Sequence, residues 1–223
     1  MVPIENVEIP ASRSAADPAP QGKDIENVVP CFTPGTVIAT PVGEQRVEDL
    51  RIGDRVLTRD NGLQEIRWVG SCRLSGEDLR RQPALRPVLI RSGALDHGLP
   101  EADILVSPWH NVLIRNDRAA RFFEDSEVLS AAGHLTGLDG VDVADVGSVT
   151  YIHFMFDQHQ VVLSNGMWTE SFRPDEKVLD SLGSRQRRQI LDLFPDLGRP
   201  EGRKAYQPAR KALSKAESRL LLK

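Results

Sequence analysis

The chain has 223 residues, 40% hydrophobic and 27% charged, the balance of a globular protein with room for one sizeable domain and its appendages. Its net charge of −4 argues against a general nucleic-acid-binding surface, and no run of 18 apolar residues is present to span a membrane. The start, Met1-Val2-Pro3-Ile4-Glu5-Asn6, lacks the basic and apolar regions of a secretory signal, so a cytoplasmic protein as synthesised is expected.

Residues 1–30 hold five acidic and two basic side chains and the prolines Pro3, Pro10, Pro18, Pro20 and Pro30, with little periodicity, which reads as a disordered leader. From Cys31 the chain is punctuated like an all-β domain. Thr36–Thr40 and Arg55–Arg59 read as strands, and Asp60-Asn61-Gly62 as a hairpin turn, because Asn-Gly accepts the positive φ angles that tight hairpins need. Further strands are expected at 64–69, 87–92, 103–107, 111–115, 149–156 and 160–163, with a short helix over Ser126–Leu135 and a second Asn-Gly turn at 165–166. Short strands at this spacing favour a sandwich or barrel-like body.

After Phe172 the period becomes helical, over Pro174–Leu182, Ser184–Phe194 and Ala212–Leu222. Residues 198–223 carry eight basic and two acidic side chains, and a basic end of this kind is expected to be a solvated face or to dock on the acidic body, in preference to a dedicated partner-binding tail. The expected organisation is therefore a leader at 1–30, a β domain at 31–172, and a helical extension with a basic tail at 173–223.

Two cysteines are present, Cys31 and Cys72, too few for a disulfide scaffold. Cys31 opens the ordered unit, where its sulfur can attack the carbonyl before it and turn a peptide bond into a thioester, provided the departing nitrogen is protonated. His110 closes the run Ser107-Pro108-Trp109-His110 just past a strand end, and a histidine titrating near neutrality suits that protonation. Along 151–157 the alternation of a strand puts Tyr151, His153, Met155 and Asp157 on one face, so His153 and Asp157 are candidates for a common pocket.

In order, these pieces resemble the Hedgehog/intein (Hint) domain family, in its bacterial intein-like branch, over residues 31–172. The resemblance implies an all-β Hint-type fold and autoproteolysis: an N-to-S acyl shift by Cys31 at the Pro30–Cys31 bond. It implies His110 as the acid/base group and Ser107, in place of the usual Thr, as the hydroxyl that polarises the scissile carbonyl. His153 falls where family members often carry an Asp or Cys that assists the shift, and His153 or Asp157 is assigned to proton transfer. No cofactor is implied; the substrate is the chain's own leader, and the acyl acceptor a small nucleophile or a protein.

Inteins end with His-Asn followed by Cys, Ser or Thr, whereas the corresponding positions here are Glu170, Ser171 and Phe172. Ser171 cannot form a succinimide and Phe172 cannot accept an acyl group, so hydrolysis or acyl transfer is expected instead of full splicing. Two other readings stay open. One is a Hint scaffold without efficient cleavage, serving in binding or maturation, which the crowded prolyl carbonyl of Pro30 favours. The other is a metal-dependent hydrolase on His153, Asp157 and His159, two imidazoles and a carboxylate.

Overall fold

A computed structural model describes residues 29–123 and 125–221, and this part of the chain is built mainly from short strands. The expected leader lies outside the described residues except for Val29 and Pro30. In chain order the elements begin with the hairpins β1 (Val37–Thr40) with β2 (Gly43–Arg46) and β3 (Arg55–Thr58) with β4 (Gly62–Glu65). The long strand β5 (Trp68–Ser75) runs into α1 (Gly76–Arg81). Ser75 caps α1 by accepting the Asp78 N–H, and the Asp78 carboxylate returns the bond to the Ser75 N–H.

Then follow β6 (Val88–Ile90), β7 (Ile104–Val106), β8 (Asn111–Arg115), α2 (Asp117–Phe123), β9 (Glu127–Ala131), α3 (Ala132–Leu135) and β10 (Val141–Val143). The partner of β5 is β11 (Ser148–Met155), and the hairpin β12 (Val161–Ser164) with β13 (Met167–Glu170) closes the β body. The C-terminal part supplies α4 (Glu176–Ser181), α5 (Ser184–Leu193), α6 (Pro200–Ala205), β14 (Ala212–Leu213) and α7 (Lys215–Leu221).

The largest sheet runs β14-β9-β8-β13-β12-β1-β2, with β3 and β4 joined to it through β12. Two smaller sheets, β10-β6-β7 and β11-β5, pack against it. The core between them is made of Phe32, Ile38, Val56, Ile90, Val106, Val112, Ile152, Phe154 and Phe156, all nearly excluded from water. On β11 the alternation holds: Ile152 and Phe154 enter this core, while Tyr151 and Met155 point to two satellite clusters on the opposite face. The second Asn-Gly turn is tied down as well as tight. Asn165, at φ 46°, accepts the Val37 N–H through Oδ1 and donates Nδ2 to the Asp103 carbonyl, both at 2.8 Å.

The expected helix over Ser126–Leu135 is instead β9 followed by the single turn α3. Val128, Leu129, Ser130 and Ala131 are buried in succession, because β9 is an inner strand with α7 behind it. Such an unbroken buried run has no period that separates strand from helix. The extension also departs from a set of helices. Ala212 and Leu213 form β14, parallel to β9, and Leu213 and Leu221 enter the main core. Of the two arrangements expected for the basic end, Arg210 shows docking: it donates to Glu127 at 2.9 Å and to Asp60 at 2.7 Å, beside the Arg59–Glu127 pair. Among the described residues, no helix is long and apolar enough to cross a membrane.

Candidate active site around Cys31

Residues 31 and 32 are threaded between the end of β7 and the middle of β11. Phe32 exchanges both backbone hydrogen bonds with Ile152 (2.8 and 2.9 Å), and the Ser107 N–H donates to the Cys31 carbonyl at 2.9 Å. This pairing decides what Cys31 meets. Ser107 follows β7 directly, and His153 is next to Ile152 on the face away from the main core.

Cys31 Sγ lies 3.3 Å from His153 Nδ1 and 3.3 Å from the Val29 carbonyl oxygen. One S–H is thus shared between an imidazole and a backbone acceptor. The Cys31 N–H, on the nitrogen of the Pro30–Cys31 bond, donates to Ser107 Oγ at 2.9 Å, and that hydroxyl donates to the Val29 carbonyl at 2.9 Å. The expected contact of Ser107 with the Pro30 carbonyl is therefore replaced by another: the hydroxyl holds the nitrogen side of that bond and the carbonyl one residue earlier.

Cys31, Ser107, His110 and His153 are all buried. Among the described residues, three buried side-chain nitrogens have no hydrogen-bond partner: both ring nitrogens of His110 and Nε2 of His153. Buried polar atoms are nearly always bonded, so orphans confined to two histidines of one site need a reason beyond packing. Burial pushes both imidazoles down to about 4. For His110 the charge of Glu170 opposes the fall and His159 adds to it. For His153 the Gln186 side chain opposes the fall, without the geometry of a hydrogen bond to Nε2. Burial likewise raises the Cys31 thiol well above its ordinary value, the nearby Cys72 and Glu170 adding to it and Ser107 opposing. At neutral pH the pair is therefore a thiol beside a neutral imidazole.

The other residues singled out in the sequence sit elsewhere. Asp157 lies past the end of β11, with a largely exposed carboxylate 3.5 Å from Arg67 Nε, and does not join the cluster. His159 faces away from Cys31: its Nε2 is 3.1 Å from the Ser171 carbonyl and 3.4 Å from Glu170, and its Nδ1 accepts the Ala209 N–H. The hydrolase reading on His153, Asp157 and His159 is corrected by this geometry. The three side chains point to three different places, and no group of three or more His, Cys, Asp or Glu among the described residues is arranged to hold a metal ion.

Glu170 is a site residue that the sequence does not reveal, since there it stands out only as a missing histidine. Its Oε1 accepts from both the backbone N–H and Nδ2 of Asn111, the neighbour of His110, at 2.9 and 2.7 Å. Burial works to raise this carboxyl, but His159, His110 and the Asn111 amide together hold it below its usual range. A buried carboxylate therefore stands behind His110. Its only sequence signal is a single charge in the otherwise uncharged run Met167–Phe172.

The model of the Hint domain family matches residues 30–176, about two thirds of the sequence. The chain belongs to the Hint domain family. Among solved structures, the Hint fold of this chain is similar to a bacterial intein-like domain from Clostridium thermocellum, with 14% identity and a TM-score of 0.42 over 66% of this chain and 99% of that one. It is similar to a DnaB intein from Synechocystis sp. PCC 6803, with 8% identity and a TM-score of 0.41 over 64% and 98% of the two chains. A third likeness is to the gp41-1 intein, with 15% identity and a TM-score of 0.37 over 63% and 97%. No curated protein matches the sequence. The matched segment begins at Pro30 and takes in Cys31, Ser107, His110, His153 and Glu170, while Val29 precedes it and α5 to α7 lie beyond it.

Proposed function

We propose that this Hint domain cleaves its own chain at Pro30–Cys31 through a thioester, which water or another small nucleophile then resolves. The observation that carries the reading is the contact of the Cys31 thiol with His153 Nδ1 at 3.3 Å, on a residue whose own backbone nitrogen is held by Ser107. His153 takes the thiol proton, and the sulfur forms a bond to the Pro30 carbonyl carbon. The carbon–nitrogen bond breaks, and the Cys31 nitrogen leaves as an amine after receiving a proton through His110, whose neutral ring is resupplied with the proton that His153 took from sulfur. The net step is an isomerisation, since the proton lost by sulfur is matched by the one gained by nitrogen. Hydrolysis then consumes one water, leaving a carboxylate on Pro30 and a free thiol and amine on Cys31.

Neutral imidazoles serve this sequence. A His153 that titrates near 4 is empty at neutral pH and ready to accept, and the Glu170 carboxylate behind His110 favours that ring when it carries the proton. Ser107, bonded on both sides, fixes the plane of the amide that must be twisted and cleaved.

The reading is tested by incubating the full chain with dithiothreitol and following release of the segment ending at Pro30. Cys31→Ala is expected to abolish release and Cys72→Ala to leave it unchanged. Cys72 is half-buried, burial with the nearby Asp78 pushes its thiol up to about 11, and its Sγ is directed to the Arg73 carbonyl at 4.0 Å instead of to an imidazole that could take its proton. Equal release from the Cys31→Ala protein would leave the thioester without support. A complete absence of release from the unmodified chain would favour a binding or maturation scaffold, as the crowded Pro30 carbonyl does.

A further inference from the structure

The helix α5 lies outside the Hint segment, yet it forms the wall behind His153. Gln189 Oε1 accepts the indole N–H of Trp68 at 3.3 Å, and Gln186 Nε2 donates to the Ser71 carbonyl at 2.9 Å. Both bonds cross from α5 to β5. The Trp68 indole in turn lies on the His153 ring, with centroids 5.1 Å apart and planes 21° from parallel. Phe172 covers the same imidazole, with a centroid distance of 5.2 Å. Room for this stack comes from Gly70, which pairs with His153 in the β5–β11 ladder. A Cβ at Gly70 would come within 2.6 Å of His153 Nε2 and 2.4 Å of the indole.

An imidazole clamped between an indole, a phenyl ring and a backbone without a side chain cannot turn freely. Its orientation decides whether Nδ1 or a carbon faces the Cys31 sulfur. Displacements of about 1 Å at a reacting pair cost on the order of a hundredfold in rate. We propose that α5 is a working part of the active site, with Gln189 and Trp68 as positioning residues that hold His153 Nδ1 on the Cys31 thiol. The proposal rests on the acyl-shift reading for its consequence in rate, and on the packing alone for its effect on His153. The C-terminal segment thereby acquires a role in the chemistry, because cleavage at Pro30 stays competent only while that segment remains docked.

The experiment uses the full chain with Gln189→Leu, Trp68→Phe and Trp68→Leu. Gln189 is exposed on α5, so its replacement leaves the core intact should a Trp68 variant fail to fold. Two quantities are read: the rate of thiol-induced release at Pro30, and the ring nitrogen-15 shifts of His153, assigned with His153→Gln. The unmodified chain is expected to hold His153 in the tautomer with hydrogen on Nε2, leaving Nδ1 free to accept. Trp68→Leu and Gln189→Leu are expected to mix the tautomers and slow release about tenfold or more. Trp68→Phe, which keeps a ring over His153, is expected to lie between them and the unmodified chain. An unchanged His153 signal and an unchanged rate in both Trp68→Leu and Gln189→Leu would overturn the proposal. If no chain releases the segment but the tautomer is fixed in the unmodified protein and mixed in the variants, the positioning role stands and the acyl shift falls.

Discussion

His153→Ala is expected to slow thiol-induced release at Pro30 by about 10²- to 10⁴-fold, the range for removal of a general base. The effect is large because, among the described residues, Cys31 has no other base in contact: burial raises the thiol well above its ordinary value, and the Val29 carbonyl, its other contact there, cannot carry the proton away. The same assignment fixes the pH dependence. The His153 imidazole is lowered to about 4, so its acceptor form is fully present at neutral pH and is lost as pH falls through about 4. Release is therefore expected to be insensitive to pH between about 5 and 7, and to fall about tenfold per unit below about 4, as for any base with that midpoint. Rates measured in this range on the unmodified chain check the prediction. A steep fall already between about pH 7 and 6 would mean that the group being protonated is not a buried His153.

Phe172→Ala is expected to destabilise the fold by about 3–5 kcal/mol, the usual cost of truncating a buried phenyl ring to methyl. Phe172 is 1% exposed, its N–H donates to the Phe154 carbonyl at 3.0 Å, and its ring lies 5.4 Å from that of Trp68. Equilibrium unfolding in urea measures the loss. Phe122→Ala, at a ring that is 51% exposed, is expected to change stability by less than about 0.5 kcal/mol and is the control. A small effect at Phe172 would show that the cluster joining the extension to the β body is loosely packed. Its burial also bears on chemistry. By the resemblance read from the sequence, Phe172 falls where an intein would carry an acyl acceptor; it is a core residue, and the chain beyond it leads straight into α4.

Much of the β architecture is legible in the sequence because it rests on local signals. Alternation on β11 places Ile152 and Phe154 in the core, and the Asn-Gly pairs at 61–62 and 165–166 mark hairpins through their tolerance of positive φ. The Cys31–Ser107–His153 grouping is legible only through resemblance, since residues 76 and 122 positions from Cys31 are brought to it by the bridges of Phe32 to Val106 and Ile152. Long-range pairing of that kind leaves no periodic trace. Asp157 follows from alternation carried two residues too far: β11 ends at Met155, and beyond it the chain turns outward to Arg67. Glu170 is hidden for a different reason. A carboxylate in a strand reads as a solvent-facing side chain until its partners Asn111 and His159, from other elements, are seen. The strand β14 cannot be read at all, because two residues carry no pattern and their pairing to β9 is set by the tertiary docking of α7.

The measurement that bears most directly on the thioester is the intact mass of the full chain after incubation with hydroxylamine at neutral pH. Hydroxylamine attacks an acyl–sulfur ester and leaves its nitrogen on the carbonyl. Two products are expected, a segment carrying a hydroxamate on Pro30 and a remainder that begins with a free Cys31, and neither from the Cys31→Ala protein. A chain that stays whole under these conditions, or a segment ending in Pro30 that forms equally without Cys31, would contradict a thioester at this bond.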